Sequence, residues 1–365
     1  MDVYEALQEK LNTHPLGAPK RPEFLEILRT LFTPEEAELA LHLPFTPQRA
    51  REIAAALERP EAEIIRLCEQ MADKTLVYAY EVRGEKVYML FPTAPGLFEF
   101  PFMKNAVSPG SLPGINFAHL AQLWWQYYED GWGLEMGNSP TSAARVIPVQ
   151  QAIPTTLHVM PYEEVAHYVQ TSKYVAISDC PCRVTQKKCD KPVDVCMVLG
   201  YGAKYLAERG GARLVTVEEA MQTLQRADEA GLVHCATNTR DRVDYICNCC
   251  PCCCGMLGVA TRLKGAVSRP ESNFYSTIQA DNCTACGVCV DRCPMGAITV
   301  NEVAVVDQAI CIGCGLCVSG CDFAAAILVR KANSVEPPAD IRELMGILAT
   351  EKGRAEAFLQ NLTAT

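Results

Sequence analysis

The sequence predicts an α+β multidomain chain, and three features of its 365 residues carry that prediction. Residues 1–105 join helical periodicity to two β-rich runs and hold a single cysteine, Cys68. From Pro161 short apolar runs alternate with helical ones, with cysteines at their ends. Near the C-terminus one cysteine spacing is written twice, at Cys283, Cys286, Cys289 and Cys293, then at Cys311, Cys314, Cys317 and Cys321. The expected units are 1–105, 106–160, 161–275, 276–332 and 333–365.

In the first unit, apolar spacing predicts helices over Pro22–Leu31, Pro34–Leu43 and Arg49–Leu57. After a break at Arg59-Pro60 another helix follows over Glu61–Lys74. The runs Leu76–Val82 and Lys86–Leu90, joined by Arg83-Gly84-Glu85, read as a hairpin. Helix, turn, helix and a two-stranded wing make a winged-helix-like module. Its groove-entering helix would carry Glu61, Glu63, Glu69 and Asp73 against Arg66, a face that repels phosphate. Protein docking, a homodimer included, is expected over DNA; Arg49 and Arg51 on the preceding helix are a small counterweight.

Residues 106–160 open on two Pro-Gly loops and continue as an aromatic helix, Phe117–Asp130. Trp124 and Trp125 are adjacent, so one of them must face a second surface such as a subunit contact. The Cys-rich unit that follows reads as helix Tyr162–Gln170, strand Tyr174–Ile177 and helices Val195–Glu208 and Val217–Ala230. Strands Leu232–Ala236 and Val243–Cys247 and helix Cys254–Leu263 complete a small α/β layer. Pro337-Pro338 precedes a terminal helix, Ile341–Leu359.

Cys-x2-Cys-x2-Cys-x3-Cys is the ligand run of a two-cluster bacterial ferredoxin, a βαβ pseudo-repeat whose fourth cysteine crosses to the other cluster. Cluster one is then expected on Cys283, Cys286, Cys289 and Cys321, and cluster two on Cys311, Cys314, Cys317 and Cys293. Gly287, Gly313 and Gly315 let these loops approach inorganic sulfide. Zinc would favour two separated cysteine pairs with a histidine, and this segment has none. One departure stands out. The first run ends Cys293-Pro294, whereas the second ends Cys321-Asp322, which admits water and negative charge beside cluster one.

Ten more cysteines form two groups once Cys68 and Cys235 are set aside as core thiols. The first is Cys180, Cys182, Cys189 and Cys196; the second is Cys247, Cys249, Cys250, Cys252, Cys253 and Cys254. On an extended backbone Cys247 and Cys249 share one face, and Cys250, Cys252 and Cys254 the other. Adjacent cysteines diverge, so one cube is not expected to use both members of a pair. Cys180, Cys182, Cys189, Cys196, Cys247, Cys249, Cys252 and Cys254 are the expected ligands of two further [4Fe–4S] clusters, with Cys250 and Cys253 left as thiols. Zinc sites and a less regular cluster around Cys253-Cys254-Gly255 are the alternatives. Arg183, Lys187, Lys188 and Lys191 place positive charge beside the first group, where it would raise a cluster's potential or meet an acidic redox partner.

Twenty cysteines without a signal peptide or an apolar membrane span point to metal ligation in a reducing cytoplasm, not to disulfides. A net charge of −10 disfavours nucleic acid as a general partner. His14, His42, His119, His158, His167 and His234 are scattered and offer no ligand spacing. No phosphate-binding glycine loop is present, so two-electron chemistry is left to a partner.

Taken together, the chain resembles ferredoxin-type 4Fe–4S binding proteins of anaerobic bacteria. The resemblance rests on the winged-helix-like start, Asp179-Cys180-Pro181-Cys182-Arg183, Cys189-Asp190-Lys191-Pro192, and the run Ile246 to Gly255. It continues through Ser272-Asn273-Phe274-Tyr275 and the ferredoxin repeat. It implies low-potential electron transfer to or from a partner oxidoreductase, and names no substrate. The competing expectations are an iron–sulfur reductase acting on a disulfide or sulfur substrate at Cys247–Cys254, and a redox-sensing DNA-binding regulator.

Overall fold

The computed structural model describes residues 2–153, 159–263 and 265–362, so His158 lies outside the described residues. The chain is a mixture of helices and strands, an α+β protein.

Five helices open it, at Val3–Asn12, Pro22–Leu31, Pro34–Ala40, Ala50–Ala56 and Glu61–Asp73. Thr33 caps the third and Glu36 reaches back to the Thr33 N–H, a capping box with Pro34 at the first helical position. The hairpin Val77–Val82 with Glu85–Leu90 turns on Arg83 and Gly84, both at positive φ (53° and 81°). Two residues at positive φ make the tight turn whose twist matches the strands. Gln48–Arg49 adds a third strand beside Glu85–Leu90. The helix Val3–Asn12 has no counterpart in the sequence reading. Tyr4, Leu7 and Leu11, at helical spacing, form its buried face.

One apolar core joins this region to the aromatic helix Phe117–Tyr127 and to the C-terminal helices. Phe24 stacks on Tyr127 at 4.8 Å, and Trp124 is buried between Phe24 and Phe98. The second surface expected for Trp125 lies within the same chain: its indole Nε1 donates to Thr185 Oγ1 at 3.0 Å. The terminal helix is two, Ile341–Glu351 and Ala355–Gln360, broken at Gly353 (φ +66°).

The Cys-rich unit is built on a six-stranded sheet, antiparallel throughout. Its order is Ala144–Val146, Val233–Thr237, Tyr245–Cys249, Cys196–Leu199, Val175–Ser178, Arg213–Leu214. The expected helix Val195–Glu208 is therefore a strand followed by a helix that starts at Gly200 (φ +65°). Val195–Leu199 is a continuous apolar run, and periodicity alone cannot separate a buried strand from a buried helix. Beyond the sheet, Phe274–Ile278 pairs with Ala326–Arg330, and Ile298–Val300 with Ala304–Val306. Short helices Val288–Asp291 and Leu316–Ser319 lie between. Glu163, buried, holds this unit to the sheet domain through both its carboxylate oxygens on Arg330, at 2.8 and 2.6 Å.

Candidate metal centres

Loops of the C-terminal unit put Cys283, Cys286, Cys289 and Cys321 around one cavity, with Ile278, Val288 and Phe323 as its apolar walls. Cys283, Cys286 and Cys321 are also the charges felt by Cys289. Cys314 feels Cys317, Cys293 and Cys311 in the same way. The two groupings are the crossed ones read from the repeat. They differ in surroundings. Cys286 is exposed, whereas Cys314 and Cys317 are buried, and burial pushes the Cys317 thiol up to about 11.

Backbone donors converge on these sulfurs. Ala304 N–H points at Cys283 Sγ (3.4 Å), Ala297 N–H at Cys293 Sγ (3.3 Å) and Ser276 N–H at Cys311 Sγ (3.5 Å). The Ala304 and Ala285 amides hold the Cys283 thiol below its usual range. Thiolates are the ligand form, and N–H···S bonds are how a protein tunes a cluster. Gly313, at φ +68°, brings its backbone so near Phe274 that an added Cβ would sit 2.1 Å from the Phe274 carbonyl oxygen. These features fit a cluster cradle.

The middle cysteines sort differently from their order in the sequence. Cys189, Cys250, Cys252 and Cys253 form one quartet, with every Sγ within 4.8 Å of the others. Cys250 and Cys253, expected as spare thiols, are thus the buried half of the most compact thiol group, and the neighbours Cys252 and Cys253 serve it together. The extended-chain alternation fails here for a structural reason. The strand ends at Cys249, residues 250–253 form a turn, and Cys254 caps the helix Gly255–Thr261. A turn points successive side chains inward where a strand would splay them.

The remaining thiols line a chamber at the end of the sheet. Cys180 and Cys182 sit at the start of the helix Pro181–Gln186, directly after the strand Val175–Ser178. Cys196 opens its strand, Cys247 and Cys249 share a face of theirs, and Cys254 Sγ lies 3.3 Å from Cys249 Sγ. Cys235, set aside as a core thiol, belongs here. It stands across from Cys247 in register and its thiol meets Cys249. Only the strand pairing could have revealed it.

Three chamber thiols are held low by their neighbours: Cys180 by Cys182, Cys254 by Cys182 and Cys249, and Cys247, down to about 5, by Cys196 and Cys249. Cys182, Cys196 and Cys249 are pushed up correspondingly. Arg183 separates the chamber from the quartet. It is 2% exposed, and its Nη1 donates to Asn248 O at 2.9 Å and faces Cys250 Sγ at 3.6 Å. Of the expected basic loop, Lys187 and Lys188 are exposed and Lys191 Nζ bonds the carbonyls of Ala230 and Gly231. Glu99, absent from the sequence reading, is pushed up to about 8 by burial and, secondarily, by the Cys247 and Cys254 thiolates.

A cavity of about 960 Å³ lies elsewhere, between Arg145, Glu163, Asn238, Asn273 and Lys331, and no cysteine lines it. No helix among the described residues is long and apolar enough to cross a membrane. No curated protein matches the chain. Residues 276–299, which carry the first cysteine run, match the 4Fe-4S binding domain, so the chain contains an iron–sulfur domain of ferredoxin type and binds [4Fe–4S] clusters.

Proposed function

We propose that the chain is an electron-transfer protein that relays single low-potential electrons to or from a partner oxidoreductase in anaerobic metabolism. The observation that carries this reading is the cavity walled by Cys283, Cys286, Cys289 and Cys321, with Cys311, Cys314, Cys317 and Cys293 grouped beside it. Each bound [4Fe–4S] cluster supplies one-electron redox chemistry. The chain's own residues supply the route. Exposed Cys286 marks the entry, and Cys317 feels Cys289 across the two groups. Cys314 packs in one apolar cluster with Cys249 and Cys254. A further cluster is assigned to the chamber, its ligands drawn from Cys180, Cys182, Cys196, Cys247, Cys249 and Cys254, with Cys235 beside them. Burial keeps water away from the inner thiols, while in the C-terminal unit the amides of Ala304, Ala297 and Ser276 offset the negative charge of Cys283, Cys293 and Cys311.

The N-terminal helices and three-stranded sheet support a winged-helix-like module used for protein docking. DNA is disfavoured by the pairing of its charges. Arg66 is engaged by Glu35, Arg49 and Arg51 by Glu85, and Glu69 and Asp73 by Arg209 of the sheet domain. The groove lined by Arg145, Glu163, Asn238 and Lys331 has no thiol in its lining, so it offers no site for a thiol-based reductase. The reducing cytoplasm remains the compartment that suits so many free cysteines.

Anaerobic purification with iron and sulfide quantitation and EPR tests the reading. About eight iron per chain is expected from the C-terminal unit and about twelve with the chamber. A colourless, sulfide-free protein would end it.

A further inference from the structure

The quartet Cys189, Cys250, Cys252 and Cys253 has a size as well as a composition. Its Sγ···Sγ separations are 3.8 Å for Cys189–Cys250 and 3.9 Å for Cys189–Cys253, with all pairs inside 4.8 Å. Four sulfurs held about 2.3 Å from one tetrahedral ion stand about 3.8 Å from one another. A cube spaces its thiolates much more widely, because each binds a different iron and the sulfides lie between them. The separations are also far too long for a disulfide, whose sulfurs are bonded at about 2.0 Å.

We propose that these four cysteines hold a single tetrahedral zinc ion, a site separate from the iron–sulfur centres. The ligands come from two places in the chain: Cys189 from the loop after the helix Pro181–Gln186, and the other three from the turn that ends the strand Tyr245–Cys249. The ion pins that loop to the turn. Four protein thiolates fill a tetrahedral ion completely, so the site is structural and admits no substrate.

Charge supports the same assignment. A zinc ion with four thiolates carries two net negative charges, which must be offset where they are buried. Arg183 is there, 3.6 Å from Cys250 Sγ, with Nε and Nη2 buried and without a protein partner. Positive charge is in place for an anionic centre. Apolar residues Val195, Ala227 and Leu232 close the site behind Cys250 and Cys253. Zinc is redox-inert, so the quartet is no relay site, and the electron route ends at the chamber on the other side of Arg183.

The test uses the full-length protein purified without air. About one zinc per chain is expected, and zinc-edge X-ray absorption is expected to show four sulfur neighbours at about 2.3 Å. Cys189→Ser and Cys252→Ser, at the two less buried ligands, are each expected to lose that zinc with iron and sulfide content unchanged. Zinc absent from the wild type, zinc with nitrogen or oxygen neighbours, or loss of about four iron and four sulfide in either variant would overturn the proposal. The absorption measurement needs no variant to fold. Since zinc is counted apart from iron and sulfide, failure here leaves the electron-transfer reading standing, and absence of iron and sulfide would remove that reading alone.

Discussion

Arg183 Nη1 lies 3.6 Å from Cys250 Sγ, and among the described residues no carboxylate forms an ion pair with the guanidinium. An arginine is charged under all ordinary conditions, and burying a lone charge costs several kcal/mol. Its counter-charge is therefore the sulfur around it: Cys180, Cys249 and Cys250 all act on it. A buried cation whose charged surroundings are cysteines, with the neutral Asn248 carbonyl as its other partner, implies that some of those cysteines are ionised, as metal ligands are.

Replacing that charge tests the logic. Arg183→Met is expected to cost about 3–5 kcal/mol, the range for stranding one side of a buried charge pair. It should also strip metal from the middle region while leaving about eight iron in the C-terminal unit. Arg183→Lys restores charge without the planar fork and should recover part of the metal. Melting temperature with metal analysis reads both effects; unchanged metal content in Arg183→Met would sink the argument.

The same residue shows how far the sequence could be read. In the C-terminal unit three cysteines of each grouping were legible from spacing within a short loop, and the repeat of that run pointed to the fourth in the other run. The hairpin was legible too, since Arg83 and Gly84 sit at the only two loop positions. In the middle region the information lies in sheet register instead. Cys235 meets the chamber because it stands opposite Cys247, and Cys189 meets Cys250 from 61 residues away. Arg183 reads as one of four cations in a basic loop, yet burial sets it apart from Lys187 and Lys188. Neither pairing nor burial is written in local spacing.

Gly313 offers a test of the second cradle. An added methyl would meet the Phe274 carbonyl oxygen at 2.1 Å and Ser272 Oγ at 2.3 Å, and the residue sits at φ +68°. Gly313→Ala is expected to cost about 3 kcal/mol or more, strain and clash together, and to lose about four iron per chain. Gly84→Ala is the control, because Gly84 also has positive φ but open space around it. It should cost only about 1–2 kcal/mol and leave the iron unchanged.

Asp322 follows Cys321 where the first run has Pro294, and it is exposed beside the cavity wall residue Phe323. Asp322→Pro removes a negative charge and shields the loop. The potential of cluster one is expected to rise while that of cluster two stays put, as read by redox titration with EPR. Cys321→Ser should convert cluster one to a three-iron form with its own EPR signal. No movement of either potential in Asp322→Pro would remove the idea.

His14 links the two ends of the chain, packing edge-on against Phe45 at 5.1 Å and Phe358 at 5.5 Å. Its Nδ1 accepts the Leu16 N–H at 3.2 Å, and burial, helped by Lys352 and Arg354, pushes its pKa down to about 3. The folded chain thus keeps His14 neutral where the unfolded chain, titrating near 6.5, would protonate it. Between those two values the unfolded state binds more protons, so stability falls as pH drops below about 6.5. From pH 7 to pH 5 the loss assigned to this group is about 2 kcal/mol. His14→Gln should flatten that part of the profile in denaturant titrations at pH 7, 6 and 5, carried out without air. An unchanged slope in the variant would show that other groups set the acid limit of the fold.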